Sequence, residues 1–199
     1  TGIKIMPNKT ALVTGASEGI GAEFIQILAA RGYDLILVAR SEDKLNKLAA
    51  KAETEFNIKC TVIMADLSQS KAAHNLFQRV QELSLDVNFL INNAGLLKNG
   101  FFNELSLEEQ EKMIAVNVIA LTSLTHLFAN YMASKDGGYI LNVASLAGWM
   151  AIPNQNVYAA TKAYVLAFTQ ALANEMTAAN TGVKVTALCP GYTCLLYTS

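Results

Sequence analysis

The chain has 199 residues, 52% of them hydrophobic and 16% charged, with a formal net charge of -1. That length can bury one sizeable core and is expected to form a single domain over residues 1–199. The balanced, scattered charge offers no electrostatic footprint for nucleic acid or an anionic membrane, so neither is expected as a partner.

Cys60, Cys189 and Cys194 show no C-x-x-C spacing, and His74 and His126 have no partner at metal-ligand spacing, so all five are expected to pack or to face solvent, and no metal site is expected. The opening stretch TGIKIMPNKTALVTG lacks the charged-then-apolar layout of a signal peptide, which makes the cytoplasm the expected location.

Along the chain, apolar runs alternate with amphipathic stretches. The pattern predicts six strands, at residues 10–13, 34–39, 59–65, 88–91, 138–142 and 184–188. Helices are predicted over 19–31, 42–56, 69–83, 107–131 with a break near Asn117, and 155–179. In the second helix Leu45, Leu48, Ala49, Ala52 and Phe56 recur at helical spacing, while Glu42, Asp43, Lys47 and Lys51 take the solvated face. Ser106 and Glu109 have the spacing of a capping box that starts the fourth. The apolar run over 113–132 contains Asn117, Thr122, Thr125, His126 and Asn130, which suits a core helix better than a membrane span. Strand and helix in alternation define an α/β fold of the Rossmann-like, doubly wound type, a parallel sheet covered on both faces.

The first strand runs directly into TGASEGIG and then into a helix. Glycines at 15, 19 and 21 permit a tight turn and let backbone N–H groups approach a pyrophosphate at the positive end of that helix. Gly15, Ser17, Glu18, Gly19, Ile20 and Gly21 are therefore candidate cofactor contacts. The second strand ends in DLILVARS. An enzyme that uses NAD usually carries a carboxylate there for the adenosine ribose; this chain has Ala39 followed by Arg40, whose guanidinium can pair with a 2'-phosphate. NADP(H) is the expected cofactor in preference to NAD(H). Glu18 is a counter-signal, because some NADP enzymes have a basic residue at that place.

Further along come INNAG (91–95), VNV around Asn117, Ser145 thirteen residues before Tyr158, Tyr158-x-x-x-Lys162, and Pro190-Gly191. In this order, and over nearly the whole chain, these motifs resemble the short-chain dehydrogenase/reductase family, in its general bacterial form. The resemblance implies an enzyme that moves hydride between a nicotinamide and a carbonyl or secondary alcohol, with an apolar small molecule as substrate. It implies a catalytic set of Asn117, Ser145, Tyr158 and Lys162. A free phenol, with a pKa near 10, is a poor acid at neutral pH, but an ammonium one helical turn away can stabilise its phenolate. Tyr158 would pass the proton, Lys162 would tune it and hold the nicotinamide ribose, and Ser145 would steady the substrate oxygen. Asn117 would perturb its helix and anchor a water that relays protons to the lysine; without the resemblance, it reads as a buried amide satisfied by backbone.

Asp66 and Leu67 would meet the adenine, although Asp66 could equally cap the helix expected near Ser68. Asn93, Ala94 and Gly95 would line the adenosine ribose and the cleft floor, and Pro190, Gly191 and Thr193 would lie beside the nicotinamide. The resemblance also implies a seventh strand and a substrate-covering segment beyond the Pro-Gly turn, so the chain is expected to be truncated, with CLLYTS (194–199) a non-native tail. A homodimer or homotetramer is implied for the full-length protein. Two other readings stay open: a dinucleotide-binding regulatory module without turnover, which the fold alone permits, and an epimerase or dehydratase relative, which would usually carry a TGxxGxxG turn.

Overall fold

A computed structural model describes residues 9–135 and 137–191. Within them the chain alternates β1 (Thr10–Thr14), α1 (Gly19–Ala30), β2 (Asp34–Ala39), α2 (Glu42–Phe56), β3 (Cys60–Met64), α3 (Ala72–Glu82), β4 (Val87–Asn92), α4 (Leu107–Ile114), α5 (Leu121–Ala133), β5 (Gly138–Val143), α6 (Asn156–Ala178) and β6 (Val183–Leu188). The strands form one parallel sheet in the order β3-β2-β1-β4-β5-β6. Winding reverses between β1 and β4, and a crevice opens there at the carboxyl ends of the strands.

Helices cover both faces, so the inner strands have no wet side and read as continuous apolar runs; β1 is buried at every residue. Successive side chains still take opposite faces. Leu12, Ile36, Val38 and Leu90 pack with Leu76 and Val80 of α3 and with Leu124, Phe128 and Met132 of α5. Ala11, Val13, Leu35, Leu37 and Ile91 pack with Ile25 and Leu28 of α1 and with Leu45 and Ala49 of α2. Between α3 and α5, Phe77 and Phe128 meet edge to face with ring centroids 5.1 Å apart.

The predicted strands and helices are all present, with three local differences. The break near Asn117 takes the form of a π-helical segment, Ala115–Ala120, which interrupts the α-helix between α4 and α5 without ending the helical run. Helix α3 starts at Ala72, later than expected, because Asp66 holds the chain in a turn. Its Oδ1 accepts from the Ser68 backbone N–H at 3.0 Å and from the Ser68 hydroxyl at 2.8 Å. Asp66 therefore caps a turn and not the helix. Lys71, at φ 63°, then reverses the chain immediately before α3.

The capping box forms as spaced, with Ser106 Oγ accepting from Glu109 N at 3.2 Å and Glu109 Oε2 from Ser106 N at 3.4 Å. The run Leu107–Ala133 is long and apolar enough to cross a membrane, yet half of its most apolar stretch is buried inside the fold. Leu124, Phe128 and Met132 carry it into the core, as a core helix should be carried. Phe128 is fully buried, so Phe128→Ala should cost about 3–5 kcal/mol, combining lost transfer energy with a cavity. Urea titration should show a lower midpoint with an unchanged slope.

Candidate active site

The crevice is built first from glycine. Gly15 (φ +63°) and Gly19 (φ +55°) take backbone conformations that other residues rarely hold. At Gly21 the constraint is space: an added Cβ would stand 2.0 Å from the Gly15 carbonyl oxygen and 2.7 Å from Asn93 Nδ2. The turn is fixed from the β4 side. Asn93 Nδ2 donates to the carbonyls of Thr14 (3.0 Å) and Gly15 (3.1 Å), while the backbone N–H groups of Asn93 and Ala94 both donate to Thr14 Oγ1 at 3.0 Å. The amide hydrogens of Asn93 are thus committed to the turn, which narrows the ribose-lining role expected of this residue to its oxygen.

Helix α1 follows with no side-chain cap from Glu18 and no acidic residue in its first turn. Its first turn leaves backbone N–H groups without a side-chain partner, and Ser17 and Ile20 beside it are half-buried. A bare turn that any Cβ would fill, ahead of an uncapped helix, fits the pyrophosphate of a dinucleotide.

At the mouth, Arg40 is exposed just beyond β2, and Asp66 is half-exposed just beyond β3. The Ser68 backbone N–H holds the Asp66 carboxyl below its usual range, helped by the Ser68 hydroxyl, Gln69 and the charge of Arg40. Glu18 reaches across to α2 and pairs with Lys44 at 2.9 Å. Leu67 is turned inward, 8% exposed, so only its backbone is left to meet a cofactor.

The second half of the site is centred on α6. Tyr158 and Lys162 lie one turn apart, and the Lys162 ammonium stands 5.8 Å from the centre of the Tyr158 ring. Lys162 is 4% exposed and donates to the Val143 carbonyl at 2.8 Å. Burial pulls its pKa down to about 8, with Cys189 opposing. Next to it, Asn117 Oδ1 accepts from Leu96 N at 2.8 Å, while Nδ2 donates to Leu96 O at 2.9 Å and Thr161 Oγ1 at 3.0 Å. The backbone-satisfied amide is thus what the structure shows at Asn117, inside the helix distortion that the resemblance implied.

Ser145 follows β5. Its Oγ accepts from Ala147 N at 3.1 Å and starts a short 3-10 turn, Leu146–Trp149. Gly148 of that turn lies against α6, where a Cβ would come within 2.8 Å of the Lys162 carbonyl carbon and oxygen. The Leu146 N–H donates to Pro190 O at 3.0 Å, which brings Pro190 and Gly191 beside the Ser145 turn. Thr193 lies outside the described residues.

The fold thus assembles two groups: the glycine turn with Asn93, with Arg40 and Asp66 at the neighbouring strand ends, and Tyr158 and Lys162 with Asn117 and Gly95, where the turn begun by Ser145 packs on α6 through Gly148. A Cβ added to Gly95 would sit 3.5 Å from both Asn117 Oδ1 and Lys162 Nζ. Sequence reasoning missed Thr14, Leu96, Val143, Thr161 and Lys44. Of these only Thr14 carried a signal, as the last strand residue before the glycines. Among the described residues Cys60 and Cys189 are free thiols, and no cluster of His, Cys, Asp or Glu could hold a metal ion. Burial, then Glu53 and Asp34, push Cys60 up to about 12 and leave it unreactive.

The profile of the short chain dehydrogenase family matches residues 9–194, and the chain belongs to that family. It is 35% identical over 177 residues to a 7beta-hydroxysteroid dehydrogenase of Collinsella aerofaciens, a match over 89% of this chain and 66% of that protein. The bulky-bulky ketone specific alcohol dehydrogenase from Comamonas testosteroni superposes with a TM-score of 0.89 at 34% identity, over 98% of this chain and 76% of that one. A short-chain dehydrogenase from Sphingobium yanoikuyae, in complex with NADPH, superposes with a TM-score of 0.87 at 36% identity, over 93% and 71% of the two chains. The chain thus spans just under two thirds of the length of the first of these relatives.

Lys162 has a testable linkage. Its folded pKa of about 8 lies below the unfolded value of about 10.5, so between those pH values the unfolded chain binds more protons. Stability contributed at this position should therefore rise with pH from about 8 to about 10.5. Lys162→Met should be more stable than the parent at pH 7, by up to about 3 kcal/mol, with the difference shrinking toward pH 10 in chemical denaturation.

Proposed function

We propose that the chain carries the catalytic part of an NADP(H)-dependent oxidoreductase that interconverts carbonyl compounds and secondary alcohols. The observation that carries this reading is the buried Lys162 ammonium, 5.8 Å from the Tyr158 ring. A cation that costs stability to bury, placed beside a phenol at the open end of a dinucleotide crevice, is best explained by acid-base work on that phenol. When bound, the dinucleotide supplies the hydride donor or acceptor.

The protein's own residues then divide the remaining work. The Tyr158 hydroxyl gives its proton to the substrate oxygen in reduction and recovers it in oxidation, while Lys162 favours the phenolate left behind. Ser145 Oγ already accepts from Ala147 N, which orients its hydroxyl and leaves its hydrogen to donate to the substrate oxygen. Asn117 fixes the helix on which Lys162 is carried by tying Thr161 to the Leu96 backbone.

For the substrate, Leu146, Trp149 and Met150 follow Ser145 and are 46%, 63% and 51% exposed, an apolar wall beside the reacting hydroxyls. Trp149 also borders an apolar hollow of about 570 Å³ shared with Met150, Ile152, Pro153, Ala159 and Ala163. A bulky apolar ketone suits such a wall, in keeping with the bulky-ketone and hydroxysteroid enzymes to which the chain is similar. For the cofactor, Arg40 at the β2 terminus and the likeness to an NADPH-bound dehydrogenase support NADP(H). The exposed Ile119, just before α5, and the exposed Tyr164 of α6, which stacks on Phe168 and hydrogen-bonds Thr122 of α5, support pairing of subunits through these helices.

The decisive measurement is NADPH consumption with a panel of bulky ketones. Turnover should fall by about 10²–10⁴-fold in Tyr158→Phe while NADPH binding is retained. Undiminished turnover in that variant would remove the reading. In the same assay NADPH should be preferred to NADH, and Arg40→Asp should erode the preference.

A further inference from the structure

The mouth of the crevice holds more charge than Arg40 alone. Glu18 belongs to the glycine turn and Lys44 to the first turn of α2, yet their side chains meet at 2.9 Å. Both side chains are well exposed, Lys44 at 56% and Glu18 at 63%. A pair this exposed contributes little to stability, so its place at the crevice mouth needs another account.

Glu18, Arg40 and Asp66 sit beyond the carboxyl ends of β1, β2 and β3, side by side in the sheet. With Lys44 included, two cations face two carboxylates there. Without it the set carries a net negative charge, to which Glu42 and Asp43 of the same α2 turn add. A phosphate on the adenosine ribose would meet repulsion from Glu18 that Arg40 alone would have to offset.

We propose that Lys44 is a specificity residue for the 2'-phosphate: it neutralises Glu18 and so removes the repulsion that a dianion beside Arg40 would otherwise meet. This rests on the NADP(H) reading above, and it removes the one feature of the glycine turn that spoke against that reading. A neutral ribose hydroxyl gains nothing from the same cation, so the effect belongs to the phosphate and not to adenosine binding in general.

The test is calorimetric titration of the 199-residue chain with adenosine 2',5'-bisphosphate and with adenosine 5'-monophosphate, neither of which carries a nicotinamide. Lys44→Met should bind the bisphosphate about fivefold more weakly, the worth of one charge contact in water, and the monophosphate unchanged. The loss should shrink in about 1 M salt, where screening acts within about 3 Å. Adding Glu18→Gln to Lys44→Met should recover most of it. An unchanged bisphosphate affinity in Lys44→Met, or an equal loss for both nucleotides, would overturn the proposal. A parent chain that prefers neither nucleotide would instead defeat the NADP(H) reading, and Lys44 would stand or fall separately on whether its substitution still weakens bisphosphate binding.

Discussion

A single ammonium, almost removed from water and held by one carbonyl, organises the α6 half of the candidate site. Lys162 donates to Val143 O, and among the described residues no carboxylate forms an ion pair with it. Desolvation dominates its lowered pKa, opposed only by Cys189, with no carboxylate among the causes. An Asp or Glu partner would have made burial cheaper, but it would also have absorbed the field of the cation. Left unneutralised, that field is available to the neighbouring Tyr158 ring and to whatever charge develops at its oxygen. Gly148 faces the lysine's backbone, where a Cβ would come within 2.8 Å of its carbonyl, while at Gly95 a Cβ would only reach ordinary contact with the ammonium, at 3.5 Å.

The position of that ammonium depends in turn on a helix that is not regular. Asn117 lies in a wholly apolar run, and its side chain must reach both the Leu96 backbone and Thr161. The π-helical segment Ala115–Ala120 widens the turn and keeps α4 and α5 continuous. Such segments interrupt helices mostly where a side chain has to be aimed, and the cost of poorer backbone geometry is accepted locally. Here the aimed group is an amide whose donors and acceptor are all used, so it behaves as a brace between the β4 loop and α6. Its buried oxygen and nitrogen leave little freedom for Thr161, and therefore little for the lysine one residue later.

Much of the fold could be read from the chain because each signal is local. Runs such as ALV and LILV betray strands buried on both faces, and the 3.6-residue spacing of Leu45, Ala49 and Ala52 betrays α2. Tyr158 and Lys162 could be placed on one face of α6 by spacing alone. What escaped was carried by groups with no residue signature or by distant partners. Val143 and Leu96 act through their backbone, where any side chain would serve. Lys44 and Glu18 are 26 residues apart and meet only because α2 starts beside the glycine turn. The start of α3 was misplaced because Asp66 competes for the chain with a turn of its own, as short acidic side chains commonly do. Leu67 packs its side chain in the core, a placement that its position in a motif did not reveal.

The two halves of the site are held in register by a buried polar network that crosses the sheet. Asn92 Nδ2 donates to Asn142 Oδ1 at 2.9 Å and to Thr125 Oγ1 at 3.0 Å, and Asn142 Nδ2 donates to Thr169 Oγ1 at 3.0 Å. This ties β4 to β5, α5 and α6. The arrangement leaves Asn92 Oδ1 buried without a partner, a cost of about 1–3 kcal/mol that apolar residues would have avoided. Its location explains why that cost is tolerable. Asn93, which locks the glycine turn, and Val143, which receives the lysine, each follow an asparagine of the network directly. A slip of either strand by one residue would exchange its faces and separate the glycine turn from the Tyr158–Lys162 pair. Hydrogen bonds between specific amides penalise that slip in a way that interchangeable aliphatic side chains cannot, so the network fixes alignment at some expense of stability.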